Sequence, residues 1–378
     1  MSIFWNQRIK ALDPYVPGEQ PRDRNFIKLN TNENPYPPSP RAVEAMERIL
    51  KEEKGSGLRL YPDPLCTEFR EAVAEAYAVK PEEVFPGNGS DEVLAFAFGA
   101  FFESSGGTAA CFNHGVLPEN DKRLPVFFPD ITYSFYSVYA RLWEVPYKTI
   151  PLAEDFSIDL TAYQNAGGVI IPNPNAPTGN ALPADDLLPL AQSLEKNGRV
   201  LIVDEAYTAF GGQSIVPRIT DHPNLLTVHT LSKSASLAGL RVGFAIGNAP
   251  LVKGLFRIRD SFNSYTMDRL ALAGGAAAVL DKSYYDKINR RVMATRERSA
   301  AALLAMGFVV IPSKANFLFV SFPAISGETL FHALRDRGIL VRHFNKPRLT
   351  NYLRVSIGTD KDMDIFLSAC KAIVKEKG

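Results

Sequence analysis

The middle of the chain alternates short apolar runs with polar turns and helical patterns. The apolar runs are residues 166–171, 199–203, 225–229 and 242–246. Continuous apolar runs, unlike alternating ones, predict strands that are buried on both faces of a parallel sheet. Between the first two runs, residues 184–196 space their leucines with a helical period. We therefore expect an open α/β sheet, which binds its ligands beyond the carboxyl ends of the strands.

The pattern changes in the last third of the chain, which predicts a second, smaller unit. Ser39 and Pro40 are predicted to cap and begin a helix over residues 41–54, and residues 284–304 carry a longer helical pattern. Short strands among helices are predicted at residues 316–321, 339–342 and 352–356. We expect a large domain over residues 41–260 and a small α+β domain from residues 1–40 and 261–378, including an N-terminal arm.

Composition and charge exclude several classes of protein. Among 378 residues, 42 Lys and Arg nearly balance 41 Asp and Glu, so the basic excess typical of nucleic-acid binding is missing. The longest apolar runs, 93–102 and 271–280, are too short to span a bilayer, and the first residues form no signal-peptide core. Three widely spaced cysteines predict reduced thiols and no metal site. We expect a cytoplasmic enzyme without nucleic-acid or membrane partners.

The predicted strand ends deliver a distinctive set of polar residues. The first run leads to Asn175, the second to Asp204 and Tyr207, and the third to Thr230, Ser232 and Lys233. A lone lysine after a strand is usually a solvated surface residue, whereas a lysine in a buried crevice has a depressed pKa that suits Schiff-base chemistry. Asp204 has an alternative interpretation as the N-cap of the following segment.

These residues stand in motifs that resemble a known family. LSKSASLAGLRVG around Lys233, VDEAY around Asp204 and PNAPTG around Asn175 resemble the motifs of class I and II aminotransferases, which use pyridoxal 5′-phosphate (PLP). KLNTNENPYPPSP, LRLYPDP, GNGSDEVL and LRVSIGT resemble the histidinol-phosphate aminotransferases more narrowly. The motifs follow the family order from residue 28 to residue 359, so the resemblance covers nearly the whole chain.

The resemblance implies an α/β fold, the PLP-dependent transferase fold type I. In it, a large domain with a mostly parallel sheet between helices is joined to a smaller α+β domain. The implied reaction is amino-group exchange between histidinol phosphate and 2-oxoglutarate in histidine biosynthesis, by a homodimer with shared active sites. The alternatives are an aromatic amino-acid aminotransferase or a threonine-phosphate decarboxylase on the same fold, and a PLP-binding regulator without activity.

The resemblance also implies roles for the residues around the ring of the cofactor. PLP is expected to be bound covalently to Lys233, which later moves the substrate proton. Asp204 is expected to pair with the pyridine nitrogen and keep it protonated, so that the ring can act as an electron sink. Tyr207 is expected to contact the 3′ oxygen, and Tyr133 to stack on the ring.

The phosphate of the cofactor needs donors, and the chain offers two sources. Gly89, Ser90 and Asp91 precede an apolar helix, so their backbone N–H groups can meet an anion at its N-terminus. GNGSDE is neither a dinucleotide fingerprint nor a Walker loop. Thr230, Ser232 and Arg241 are expected to complete the site, and by the resemblance Tyr61 reaches the phosphate of the neighbouring subunit.

Three further residues are implied in substrate binding by the resemblance. Arg354 and Arg342 match two arginines that hold the distal anion of the substrate, and Tyr15 resembles a further phosphate contact. Paired guanidinium groups suit a phosphate and can also hold the carboxylate of glutamate. The alternative for each arginine is a surface ion pair.

Two features depart from the family pattern. PNAPTG places Ala176 where many relatives have the asparagine that contacts the ring, and we expect Asn175 to take over that contact. Residues 104–125 are long and unpatterned just before Tyr133. This segment is interpreted as a tolerated surface loop, a cover over the active site or a dimer contact.

Overall fold

The computed structural model describes residues 3–10, 12–14, 19, 26–104 and 124–377. Tyr15 and most of the predicted loop at 104–125 lie outside the described residues. The helices are α1 (Gln7–Lys10), α2 (Pro40–Lys51), α3 (Thr67–Tyr77), α4 (Ser90–Phe101), α5 (Phe135–Leu142), α6 (Leu188–Glu195), α7 (Ala249–Phe262), α8 (Arg269–Leu280), α9 (Lys282–Ala305), α10 (Gly327–Asp336) and α11 (Asp360–Lys377). The strands are β1 (Ile27–Lys28), β2 (Val84–Gly87), β3 (Val126–Pro129), β4 (Tyr147–Ile150), β5 (Gly168–Pro172), β6 (Leu201–Asp204), β7 (Leu225–Thr230), β8 (Gly243–Gly247), β9 (Val309–Ile311), β10 (Phe317–Ser321), β11 (Ile339–Leu340), β12 (Arg342–His343) and β13 (Leu353–Ser356).

Seven of the described strands form the central sheet, in the order β2-β8-β7-β6-β5-β3-β4. The four predicted strands are present as β5, β6, β7 and β8, and every residue of each is buried. Strand β8 runs antiparallel to both of its neighbours, so the sheet is mostly parallel with this one exception among its described strands. The short link from β7 to β8 contains a 3₁₀ turn. A parallel neighbour would need a longer crossover connection, usually a helix, so this short link makes β8 antiparallel to β7.

Helices cover both faces of this sheet because its strands are apolar on both. Val169 and Ile171 of β5 pack into a core with α2, α3, α6 and α8. Ile170, between them, packs on the opposite face with α4, α5 and α7. Successive side chains of a strand point to opposite faces, so a continuous apolar run needs this double cover.

A second sheet lies in the last third of the chain, with the antiparallel order β12-β13-β10-β9. Its core is formed with α9, α10 and α11, and includes Leu29 from the first third of the chain. The predicted strand at 339–342 is divided into β11 and β12, with β11 pairing with β1 instead of the sheet. The domain division at residues 40/41 and 260/261 stays a prediction.

The predicted helices are present with shifted ends. Helix α2 begins at Pro40, and Ser39 caps it by accepting a hydrogen bond from the Ala42 N–H at 3.2 Å. It ends at Lys51, before the predicted end at residue 54, because a 3₁₀ helix over Glu52–Arg59 follows. The helix expected from residue 93 begins at Ser90, directly after Gly89.

The topology brings the chain segments of the site to one edge of the central sheet. Strands β2, β3, β5, β6 and β7 end there, and β8 begins there because it runs in the opposite direction. The residues that follow or precede these strand ends therefore meet in space.

Candidate active site

A cavity with about 580 Å³ of empty space opens at this edge of the sheet. It brings together nine residues that the sequence assigned to the site: Ser90, Asp91, Tyr133, Asp204, Tyr207, Thr230, Ser232, Lys233 and Arg241. Pro172, Pro174, Ala176 and Ala206 complete its wall. The residues come from six chain segments, so the cavity exists only in the folded protein.

Lys233 projects into this cavity from the turn after β7. Its Nζ donates a hydrogen bond to the backbone carbonyl of Thr31 at 3.1 Å. Burial, together with the nearby charge of Arg354, lowers the pKa of Lys233 to about 8. The solvated surface lysine considered from the sequence is therefore wrong, and the amine is partly neutral in weakly alkaline solution.

Asp204 is the last residue of β6 and only 6% exposed. Its Oδ1 accepts a hydrogen bond from the Ala206 N–H at 3.1 Å, and its Oδ2 accepts one from the hydroxyl of Tyr136 at 2.7 Å. Burial raises the pKa of Asp204 to about 6, while these two hydrogen bonds oppose the rise. Asp204 thus caps a turn, as its alternative interpretation expected, and still lines the cavity.

The turn before α4 forms a narrow cradle beside Arg241. Gly89 has a φ of 82°, and a Cβ atom on it would lie 2.5 Å from Nη2 of Arg241. A Cβ on Gly243, at the start of β8, would lie 2.3 Å from the backbone nitrogen of Ser90. Backbone N–H groups at a helix N-terminus beside a guanidinium group can hold a phosphate.

Asp91 connects this cradle to Tyr133. Its Oδ2 lies 3.0 Å from Nη2 of Arg241, and its Oδ1 accepts a hydrogen bond from the Tyr133 hydroxyl at 2.6 Å. Arg241 also donates to the hydroxyl of Ser232 at 3.4 Å. The carboxylate of Asp91 is thus held by two partners, which fixes the side chains around the cradle.

Asn175 does not reach the cavity, contrary to the sequence-based expectation. The side chain is fully buried, and its Nδ2 donates to the backbone carbonyl of Ile131 at 3.0 Å and to the hydroxyl of Thr178 at 3.1 Å. These bonds hold the amide nitrogen inside the loop. Ala176 lines the cavity in its place.

The site has two buried partners that the sequence patterns do not indicate. Tyr136 donates to Asp204, and the Nδ2 of Asn32 donates to the hydroxyl of Tyr207 at 2.9 Å. Tyr136 lies three residues after Tyr133, and Asn32 lies within KLNTNENPYPPSP. Only their contacts in the structure connect them with the site.

A second cavity adjoins the first, and Tyr133 and Ala176 contribute to the walls of both. Arg342 and Arg354 line it, together with Arg141 and Lys346, which the sequence analysis did not select. Tyr15 is outside the described residues, although Pro14 before it lines the cavity. Four cationic side chains thus lie beside the site of Lys233. Asp13 and Asp130 also line this cavity, and Oδ2 of Asp13 lies 3.0 Å from Nη1 of Arg141, so Arg342, Lys346 and Arg354 are the cations of the cavity that are not paired with Asp13.

The two predicted arginines rest on aromatic rings. Arg354 lies 5.4 Å from the ring centre of Phe317 and 5.7 Å from that of Phe344, and it donates to the backbone carbonyl of Asn30 at 2.9 Å. Arg342 lies 5.6 Å from the ring centre of Phe344. Such stacking keeps a guanidinium group oriented.

Tyr61 lies away from both cavities. Its side chain is 77% exposed and stacks on Tyr265 with 4.6 Å between ring centres. Nη2 of Arg269 donates to the backbone carbonyl of Tyr61 at 2.7 Å. Among the described residues, no cluster of His, Cys, Asp and Glu could hold a metal ion, and no helix is long and apolar enough to cross a membrane.

Residues 24–370 match the model of the class I and II aminotransferase family. The chain belongs to this family. It is 52% identical over 375 residues to the histidinol-phosphate aminotransferase of Clostridium acetobutylicum, covering 99% of this chain and 100% of the relative. It is 50% identical over 377 residues to that of a Marinomonas species, with the same coverage. The expected family is confirmed.

Solved structures show that this aminotransferase has the expected fold. The histidinol-phosphate aminotransferase of Sinorhizobium meliloti, in complex with pyridoxal-5′-phosphate, superposes with a TM-score of 0.85 at 23% identity, covering 100% of this chain and 99% of that chain. The aspartate aminotransferase of Thermus thermophilus with maleate superposes with a TM-score of 0.79 at 18% identity, covering 98% and 99%. The prediction of an α/β transferase of fold type I is confirmed.

Proposed function

We propose that this aminotransferase uses PLP to exchange an amino group between histidinol phosphate and 2-oxoglutarate. One observation carries the proposal: a cavity with four cationic side chains adjoins the cavity of Lys233. The relatives that share about half of its residues over their full length bear the name of this reaction. The pathway would then be histidine biosynthesis.

The residues of the first cavity fit PLP. The cradle between Gly89 and Gly243, with Arg241 beside it, suits a phosphate, because a Cβ on either glycine would close it. The buried carboxylate of Asp204 suits a protonated ring nitrogen, and Lys233 supplies an amine for a covalent bond to the cofactor. When bound, PLP supplies an electron sink that stabilises negative charge on the substrate carbon that loses its proton.

The side chains of the cavity then divide the remaining work. Asp204, held by Tyr136, keeps an anion in the wall of this cavity, where it would face the ring nitrogen. Tyr133, held by Asp91, presents a half-buried aromatic ring to the cavity. Nζ of Lys233 takes up and returns the proton of the substrate, for which a pKa of about 8 is suited near neutral pH.

The second cavity is proposed to bind the distal anion of both substrates. The planar guanidinium groups of Arg342 and Arg354 suit a phosphate group as well as the side-chain carboxylate of glutamate. Because donor and acceptor then occupy the same place in turn, we expect ping-pong kinetics.

The partner in solution is proposed to be a second copy of the chain. Large apolar side chains are exposed in two chain segments that the stacking of Tyr61 on Tyr265 joins: Leu58, Leu60, Tyr61, Leu65, Phe262 and Tyr265, each more than 40% exposed. Exposed apolar patches of this kind mark protein interfaces. We propose that this patch forms the dimer interface and that Tyr61 reaches the phosphate in the site of the partner.

We also propose that the enzyme works in the cytoplasm. Cys66 and Cys370 are buried free thiols, and burial raises their pKa to about 11 and about 12. Reduced thiols are typical of cytosolic proteins. Cell fractionation with an antibody tests the location.

A panel of amino donors tests the substrate. The PLP-loaded enzyme is mixed with histidinol phosphate, glutamate, phenylalanine or threonine phosphate, and the change of the visible absorbance band is followed. We expect a change with histidinol phosphate and glutamate, and much faster reaction of histidinol phosphate than of phenylalanine. Preference for phenylalanine would favour an aromatic aminotransferase, loss of carbon dioxide from threonine phosphate a decarboxylase, and no change at all a regulator.

A further inference from the structure

Three side chains from distant parts of the sequence form one line of hydrogen bonds that ends at the first cavity. Oγ of Ser356, at the end of β13, accepts from the backbone N–H of Asn32 at 2.8 Å and donates to Oδ1 of Asn32 at 2.8 Å. Nδ2 of Asn32 donates to the hydroxyl of Tyr207 at 2.9 Å. Asn32 and Ser356 are 1% and 3% exposed, so water does not compete for these bonds.

The direction of each bond in this line is fixed by chemistry. A backbone N–H can only donate, so Ser356 accepts from it and must place its own proton elsewhere. Among the contacts of the described residues, Oδ1 of Asn32 is the acceptor for that proton. The other end of the amide is therefore the NH₂ group, which donates to Tyr207 and cannot accept from it.

The hydroxyl of Tyr207 therefore keeps its own proton available for donation into the first cavity. Its oxygen accepts from Asn32, so its own O–H must donate to another group, and the side chain lines the cavity that contains Lys233. Burial raises the pKa of Tyr207, while the charge of Arg354 and the bond from Asn32 oppose that rise. A hydroxyl that accepts a hydrogen bond becomes a stronger donor.

At positions 175 and 176, the neighbouring wall of the cavity supplies no side-chain donor. Ala176 lines the cavity with a methyl group, and the amide of Asn175 is held by Ile131 and Thr178 instead. We propose that Asn32 is a positioning residue that locks Tyr207 as a donor to the 3′ oxygen of PLP. It compensates for the amide missing at Ala176. The inference rests on the proposed role of Tyr207.

Asn32 is itself held rigidly enough for this task. Its φ is 58°, a left-handed conformation that asparagine tolerates better than most residues, and its carbonyl accepts from Nδ2 of Asn316 at 2.9 Å. The carbonyl of the preceding Thr31 accepts from Lys233. One short segment thus positions both Tyr207 and the lysine.

The test is the pH titration of the absorbance of the PLP-loaded enzyme without substrate. A donor to the 3′ oxygen stabilises the high-pH form, in which that oxygen carries the negative charge, and so lowers the pKa of the transition. We expect Asn32→Gly, which keeps the left-handed conformation free of strain, to raise this pKa by about 0.5–1 pH unit. The milder Ser356→Ala is expected to raise it by less, because it only frees the amide to turn.

Two further variants separate positioning from general damage. Ala176→Asn restores a donor at the family position, so it should return the pKa of the Asn32→Gly enzyme towards that of the wild type. Asn173→Ala is the matched control, since Asn173 is also buried at this edge of the sheet but bonds to Leu182. It should leave the spectral pKa unchanged whatever it does to the melting temperature.

The outcomes distinguish this inference from the proposed role of Tyr207. If Tyr207→Phe raises the spectral pKa and neither Asn32→Gly nor Ser356→Ala does, Tyr207 acts alone and the inference is wrong. If Tyr207→Phe has no effect, the role of Tyr207 itself is wrong. The inference is also wrong if Asn173→Ala raises the spectral pKa as much as Asn32→Gly does. It is wrong as well if adding Ala176→Asn leaves the raised spectral pKa of the Asn32→Gly enzyme unchanged.

Discussion

At the scale of single residues, burial acts on Lys233 and Asp204 in opposite directions. It lowers the pKa of the lysine to about 8 and raises that of the aspartate to about 6, because both groups lose water that stabilises their charged forms. The specific partners of each group then favour or disfavour its charged form. Tyr136 and the Ala206 N–H favour the charged form of Asp204, whereas the charge of Arg354 disfavours that of Lys233.

Replacing the lysine tests the covalent role directly. We expect Lys233→Ala to abolish turnover while PLP still binds noncovalently, because the cradle and Asp204 remain. Activity and equilibrium dialysis measure the two effects. Lys282→Ala is the control, since Lys282 lies on the surface paired with Asp286 and should keep full activity. Transamination at the normal rate in Lys233→Ala would refute the assignment.

Tyr136 and Tyr139 form a matched pair for testing the state of Asp204. Both phenols are buried on α5, but only that of Tyr136 bonds to Asp204, and the hydroxyl of Tyr139 has no hydrogen-bond partner among the described residues. The bond stabilises the anion, so Tyr136→Phe should raise the pKa of Asp204 from about 6 by about one pH unit. Affinity for PLP, measured against pH, rises as Asp204 ionises, and its acid limb should therefore move to higher pH.

Tyr139→Phe should leave that acid limb in place. Equal shifts in the two variants would show that Tyr136 acts by packing alone. An unchanged limb in both would show that another group governs it.

At the scale of elements, the antiparallel course of β8 builds the phosphate cradle. It brings Gly243 against the turn that begins α4, so that a Cβ there would lie 2.3 Å from the backbone carbon of Gly89 as well as from the nitrogen of Ser90. Backbone atoms cannot move aside as a flexible side chain can. The cradle therefore depends on the packing of a strand against a helix start.

A substitution at this contact tests the cradle. Gly243→Ala should push the start of α4 away and weaken PLP binding at least about tenfold, because the N–H groups no longer converge on the phosphate. Gly239→Ala in the preceding turn is the control, since no atom of the described residues, apart from its own chain neighbours, lies within 4 Å of a Cβ there. The dissociation constants of both variants are measured by fluorescence titration. Equal affinity of both for PLP would argue against a phosphate at this place.

At the scale of the whole molecule, the active region joins parts of the chain that are far apart in sequence. Hydrogen bonds connect Asn32 with Ser356, and the neighbouring Thr31 with Lys233. The residues that line the second cavity are as far apart in the sequence as Asp13 and Arg354. The central sheet supplies the first cavity, and the second sheet contributes Arg342 and Arg354 to the next. A change in how the two sheets meet would therefore change both cavities together.

Mixing two inactive variants tests whether subunits share their sites. In a hybrid of Lys233→Ala and Tyr61→Ala subunits, one site would carry both defects and the other neither. Random mixing should then restore about a quarter of the wild-type activity. If Tyr61 acted within its own subunit, no site would be intact and no activity would return. Each variant refolded alone is the control.

The sequence by itself determined the layers of the fold and the set of residues at the strand ends. Continuous apolar runs demand strands covered on both faces, and the parallel arrangement of β5, β6 and β7 makes Asp204, Thr230 and Lys233 neighbours. These inferences depend on local pattern and on one topological rule. They do not depend on how the remaining elements of the chain are arranged.

Only the tertiary structure decided which buried groups touch. The Asn175 amide is turned to Ile131, Tyr136 reaches Asp204, and Asn32 reaches Tyr207 across 175 positions of sequence. A hydrogen bond depends on separations of a few tenths of an ångström and on the direction of a proton, which no residue pattern encodes. Packing between elements sets those contacts. The contacts in turn shift the pKa values of Asp204 and Tyr207 and orient the hydrogen-bond donors of the site.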